Sequence, residues 1–90
     1  MSRKRDKLEV IYDMLITIRE KKGKANPTHI LYRSNLSYHM LQEYIKDLIH
    51  RKFIKEDVEK SKRTYFITKE GETFLLKYKE IREFVDSFVT

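Results

Sequence analysis

Tyr38, His39, Gln42 and Lys46 follow one another at spacings of one, three and four residues, which lines donors and acceptors along one side of a helix. A glutamine pairs bidentately with adenine, and a histidine can donate or accept at a base edge. A tyrosine offers its hydroxyl to phosphate and its ring to a thymine methyl, and a lysine one turn further along meets a phosphate. Ser37, just ahead of them, is suited to cap the helix. Such a set fits the major groove of a nucleic-acid duplex. It also fits the wet side of any amphipathic helix, and Glu43 in its midst would repel a polyanion.

Two basic clusters bear on that choice. "KSKR", Lys60-Ser61-Lys62-Arg63, puts three cations in four residues and could reach a phosphate backbone or minor groove. Glu56, Asp57 and Glu59 stand just before it, and its alternative is a solvated turn. The N-terminal Arg3, Lys4 and Arg5 could form a basic arm or merely a charged tail. Helix N-termini near Thr28 and Ser37 would add backbone N–H groups that suit phosphate oxygens.

Other chemistry finds no support in the residues. No cysteine is present, so disulfides and thiolate metal sites are excluded. His29, His39 and His50 do not sit at the helical i, i+4 spacing of a metal pair. Ser37 and His39 point about 160° apart on a helix, and no Gly-rich phosphate loop occurs. The expectation is a protein without enzyme activity, cofactor, metal or small-molecule ligand. No run is long and apolar enough to span a membrane, and "MSRKRDKLEV" lacks a signal segment, so a cytoplasmic location is expected.

Ninety residues suit one small domain with one core, and a 40% hydrophobic content is too apolar for a disordered chain. The net charge of +6 favours anionic partners. Residues 1–68 carry sixteen Lys/Arg against nine Asp/Glu, whereas residues 69–90 carry four against five. The basic surface therefore lies ahead of the last helix.

The elements that must position these side chains are legible from periodicity. Leu8, Ile11, Tyr12, Leu15 and Ile18 mark the buried stripe of a first helix over about residues 4–22, stopped by Gly23. Lys24–Ala25 offers a very short strand. Asn26 and Pro27 are an N-cap and first helical residue for a short second helix reaching about Arg33, with Ile30 and Leu31 inward. Asn35 and Leu36 make a turn in which Asn35 can take the left-handed conformation. Ser37 then caps a third helix to about His50, with Leu41, Tyr44, Ile45 and Leu48 inward. "FIKED" and "TYFIT" are β-prone runs flanking the polar "VEKSKR", and Thr68 caps a last helix in which Gly71 is a weak point. The order predicts a mainly α (α+β) fold, a winged helix-turn-helix of three helices plus a β-hairpin wing, with an extended C-terminal helix.

Within the last helix, Phe74, Tyr78, Ile81, Val85 and Phe88 repeat at four, three, four and three residues, a heptad-like seam. Residues 1–72 read as the DNA-binding unit, and residues 73–90 as a dimerisation helix continuous with it. Phe74 and Leu75 can complete the core, while Ile81, Phe84, Val85, Phe88 and Val89 would project beyond it. A second copy is the simplest cover, giving a two-fold homodimer. The alternative is a helix folded back on the first helix. A membrane-surface helix is disfavoured by the lack of net positive charge.

"IYDML" in the first helix, "PTHILYRSNLSYHMLQEYIKDLI" through the helix-turn-helix and "YFITKEGETFL" at the wing and last helix carry a resemblance over about residues 7–80. With them, the chain resembles the small archaeal DNA-binding proteins of the ten-kilodalton class. That resemblance implies a homodimer through antiparallel last helices that binds double-stranded DNA in the archaeal cytoplasm. It would organise the nucleoid or regulate transcription. The chain departs from the class by stopping at Thr90, short for a long coiled coil. The competing expectation is a winged-helix module that docks another protein and leaves DNA alone.

Overall fold

A computed structural model describes residues 6–89, with nothing to be said of the Val89 side chain. Four helices and one hairpin follow in the order α1 (Lys7–Glu20), α2 (Pro27–Ser34), α3 (Tyr38–His50), β1 (Ile54–Glu59), β2 (Lys62–Ile67) and α4 (Lys69–Val89). This is the winged helix-turn-helix arrangement with a long last helix.

Local chemistry explains most boundaries. The Asp6 side chain accepts from the Glu9 N–H at 2.8 Å and caps α1 at Lys7; residues 4 and 5 of the expected helix lie outside the described residues. It ends at Glu20, where Lys22 and Gly23 turn left-handed with φ of 50° and 86°. Gly23 suits this conformation, and a Cβ there would also displace the partly exposed Phe66 ring. The Asn26 side chain accepts from the His29 N–H at 2.9 Å, and His29 Nδ1 accepts from the Asn26 N–H at 3.4 Å. A histidine thus fills the place usually held by Glu or Gln in such a reciprocal cap.

The core gathers Met14, Leu15 and Ile18 of α1, Ile30 of α2, Leu41, Ile45 and Leu48 of α3, Ile54 and Tyr65 of the hairpin, and Leu75 of α4. Tyr44 and Phe74 pack at its edge, half-buried. Leu8, expected inward, is 51% exposed. It lies on the same stripe as Ile11 and Leu15, but one turn beyond the core, where no described element covers it. Val10 and Met14, outside the expected stripe, are buried instead.

β1 and β2 pair antiparallel from Ile54–Ile67 to Glu59–Lys62. The short strand at Lys24–Ala25 reduces to one bridge, Ala25 to Tyr65, with the Tyr65 N–H donating to the Ala25 carbonyl at 2.9 Å. The polar stretch "VEKSKR" is not a loop: the strands run through it and only Lys60 and Ser61 turn. Both are left-handed, with φ of 49° and 67°, as a type I′ hairpin turn requires. That turn normally favours Asn-Gly, so Lys60 is held in an unfavourable conformation at the wing tip.

The Tyr65 hydroxyl donates to Glu56 Oε2 at 3.0 Å. Burial, then this carboxylate, push the phenol pKa up from its ordinary 10.0 to about 12. A raised folded-state pKa means the protonated phenol stabilises the fold, fully below about pH 10 and decreasingly as pH rises through about 12. Urea midpoints measured from pH 8 to 12 should fall for the wild type over that window. Tyr65→Phe should start lower and lack that component of the alkaline fall. An equally steep decline in the variant would remove Tyr65 as its source.

Candidate nucleic-acid interface

Each side of the helix-turn-helix is fixed by its own caps. Asn35 takes the left-handed conformation (φ 54°, ψ 49°) and donates its N–H to the Leu31 carbonyl at 3.0 Å, ending α2. Ser37 Oγ accepts from the Met40 N–H at 3.2 Å, starting α3 at Tyr38. Three buried positions, Leu41, Ile45 and Leu48, then set the rotation of α3 about its axis.

That rotation decides which side chains face outward. Tyr38, His39, Glu43, Lys46 and His50 are exposed, as is Ser37 at the cap. Gln42 is only half-buried, in contrast to its expected outward position. It lies about 110° from the centre of the buried stripe, on the flank of the helix. Thr28, in the first turn of α2, and Asn35, at its C-cap, are exposed. Tyr32, overlooked in the sequence, is 80% exposed on α2, and Tyr38 is 65% exposed. Its signal was available: Tyr32 falls on the side of α2 opposite Ile30 and Ser34, the two buried positions.

The acids on α3 are treated unequally. Asp47 meets Arg51 at 3.0 Å and Lys7 at 3.7 Å, which clasps α3 to the start of α1. Burial works to raise its pKa, but the two cations together hold it below the usual carboxylate value. Glu43, one turn earlier, has His39 Nε2 at 3.9 Å from its Oε1.

Lys60, Ser61, Lys62 and Arg63 are all exposed on the hairpin. Lys62 stands across from Glu59 and Arg63 across from Val58, so the wing tip keeps Lys60 clear of a cross-strand acid. Arg3, Lys4 and Arg5 lie outside the described residues. Among the described residues no group of His, Asp and Glu is arranged to hold a metal ion. No described helix is long and apolar enough to cross a membrane.

α4 divides at Tyr78. Phe74 sits 5.3 Å from Phe53 and 5.9 Å from Tyr78, ring centre to ring centre, and Tyr78 is 4.9 Å from Tyr12 of α1. Phe74 and Tyr78 therefore spend much of their apolar surface within the chain. Beyond them every described side chain is exposed, with Ile81 at 61%, Phe84 at 66% and Phe88 at 79%. Ile81, Phe84, Val85 and Phe88 share one face at i, i+3, i+4 and i+7. Beyond Tyr78 the side of α4 toward α1 is instead charged, with Lys79, Arg82, Glu83 and Asp86 lining a hollow shared with Tyr78 and with Glu9, Tyr12 and Asp13 of α1. The helix is thus not folded back on α1 through its apolar stripe.

The sequence model of the winged helix-turn-helix family matches residues 4–86. The chain belongs to that family. Among curated proteins, this winged helix-turn-helix chain is 34% identical over 78 residues to Uncharacterized protein MJ0290 of Methanocaldococcus jannaschii. That match takes in 87% of the chain and 34% of the relative, so the chain spans about a third of the relative's length. Among solved structures, Sso10a-2, a DNA-binding protein from Sulfolobus solfataricus, superposes with a TM-score of 0.82 at 21% identity. The superposition covers 94% of this chain and 86% of that one. MepR, a transcription regulator of a Staphylococcus aureus multidrug efflux pump, gives a TM-score of 0.75 at 12% identity, covering 89% and 61%. At these identities the likeness is one of fold.

Proposed function

We propose that this winged helix-turn-helix protein binds double-stranded DNA as a homodimer and acts in transcription regulation, without enzyme activity. The observation that carries the reading is the exposed N-terminal half of α3, capped, rigidly packed from behind, and placed in a fold shared with DNA-binding neighbours. In this reading α3 enters the major groove, with Ser37, Tyr38, His39 and Gln42 toward the bases and Lys46 toward a phosphate. Thr28 and Asn35 approach the flanking backbone. The wing lays Lys60, Ser61, Lys62 and Arg63 on phosphate or minor groove, and Arg3, Lys4 and Arg5 add a basic arm. A described chain without a membrane-crossing helix suits a cytoplasmic, nucleoid-associated site of action.

The dimer forms along α4, where Ile81, Phe84, Val85 and Phe88 meet their copies across a two-fold axis. Phe74 and Tyr78 then stand at the ends of the seam, shared between it and the domain. Two α3 helices face one duplex.

Binding to mixed-sequence duplex across a salt series tests the reading. Log affinity should fall linearly with log salt. Replacing Lys60, Lys62 and Arg63 by alanine in both copies should lower the slope by up to about 5.4, at roughly 0.9 for each of six phosphates no longer neutralised. Absence of duplex binding at low salt would sink the proposal and leave a protein-docking module.

A further inference from the structure

We propose that Glu43 is a specificity-determining residue whose carboxylate accepts a hydrogen bond from a cytosine N4 amino group. The inference rests on the reading of α3 as the groove-bound helix. One carboxylate on that helix, Glu43, has no Lys or Arg paired with it among the described residues, only His39. Glu43 is exposed in the middle of the face that carries His39 and Lys46. A bare carboxylate brought up to a polyanion is repelled, and the repulsion strengthens as water leaves the interface.

The neighbouring acid shows how the protein neutralises a charge that it does not use. Asp47 is held by Arg51 at 3.0 Å and Lys7 at 3.7 Å. Lys7 lines the same hollow as Glu43, yet its ammonium is given to Asp47. Across from Glu43 stands an imidazole, with His39 Nε2 3.9 Å from Oε1. His39 can steady one carboxylate oxygen and leave the other to accept from the groove.

The groove narrows the choice of donor. Only cytosine N4 and adenine N6 donate in the major groove. Both donors lie beside an acceptor, but adenine N6/N7 suits a bidentate amide whereas a carboxylate pairs by accepting from cytosine N4; guanine O6 and N7 and thymine O4 all repel it. Cytosine is the base left. Glu43 then works by exclusion as much as attraction, because guanine and thymine offer its charge only acceptors. A DNA-binding face that retains such a charge gives up non-specific affinity, which suits a sequence reader better than an architectural protein.

Selection of bound duplexes from a random pool, run side by side for wild type, Glu43→Ala and Glu43→Gln, tests this. The exposed site makes all three expected to fold, which circular dichroism checks. Wild type should favour cytosine about tenfold at one position of each half-site. Glu43→Ala should lose that preference alone and bind mixed duplex several-fold more tightly. Glu43→Gln should move the preference to adenine, which glutamine pairs bidentately. Identical motifs from the three proteins, with duplex binding intact, would overturn the role of Glu43 and leave the DNA reading standing. If wild type bound no duplex at all, the DNA reading would fall and this role with it.

Discussion

Replacing Ile81 and Val85 together by glutamate should convert the protein from dimer to monomer in sedimentation and lower duplex affinity by roughly a hundredfold or more. Both residues lie on the exposed stripe of α4 with Phe84 and Phe88, and α1 lies on the other, charged side of the helix. Nothing within the described chain covers that stripe. A helical stretch of about a dozen residues is marginal on its own in water, so in the proposed dimer the part of α4 beyond Tyr78 would gain order from its copy. Two carboxylates per copy, brought together in an apolar seam, lose hydration without gaining a counter-charge. Their burial costs several kcal/mol in the dimer and nothing in the monomer. The affinity loss follows because the second recognition helix no longer binds as an intramolecular event. An unchanged sedimentation mass for the double variant would refute the seam.

Gly71→Ala should destabilise the fold by about 2 kcal/mol, although helix propensity alone assigns it a gain of about 1 kcal/mol. Gly71 lies in the first turn of α4, and its N–H donates to Thr68 Oγ1 at 3.1 Å. An added Cβ would collide with the Phe53 carbonyl oxygen and come within 2.7 Å of Ile67 Cγ1. The Phe53 carbonyl cannot swing aside cheaply, because it accepts from the Thr68 N–H at 3.0 Å, in the cap that starts α4. Thr68 Oγ1 also donates to the Lys52 carbonyl, so the same cap joins α4 to the turn after α3. Overpacking against backbone costs about 1–3 kcal/mol or more and outweighs the propensity gain. In a domain of this size the melting temperature should fall by roughly 10 °C. A higher melting temperature for Gly71→Ala would show that the backbone yields where the close approach says it cannot.

These two cases mark where sequence reasoning reaches. Asn26, Pro27, Asn35, Ser37 and Thr68 were legible as caps and turns because each acts on a backbone group within about four residues of itself. Periodicity likewise placed Ile30, Leu41, Ile45 and Leu48 in the core, and their burial followed. Leu8 shared that periodicity and is exposed, since a stripe states direction but not how far the opposing layer extends. The candidate face of α3 was legible at His39 and Lys46, which lie far from the stripe, and Tyr38, on its flank at the first turn, is exposed as well. At Gln42, on the flank, burial depends on neighbours that no wheel contains.

By itself, then, the sequence determined the order of elements, the caps of α2, α3 and α4, the rotation of α3 and the presence of a surplus apolar stripe on the last helix. All of these arise from interactions a few residues apart, or from the periodic pattern within one helix. Only the tertiary structure decided that Gly71 is a contact glycine and not a weak helical residue. It also decided that Phe74 and Tyr78 stack on Phe53 and Tyr12 while Ile81, Phe84, Val85 and Phe88 stay open. The same holds for Lys7, which serves Asp47 and leaves Glu43 to His39. In each case the deciding atom comes from a segment distant in the chain, and only packing brings it within reach.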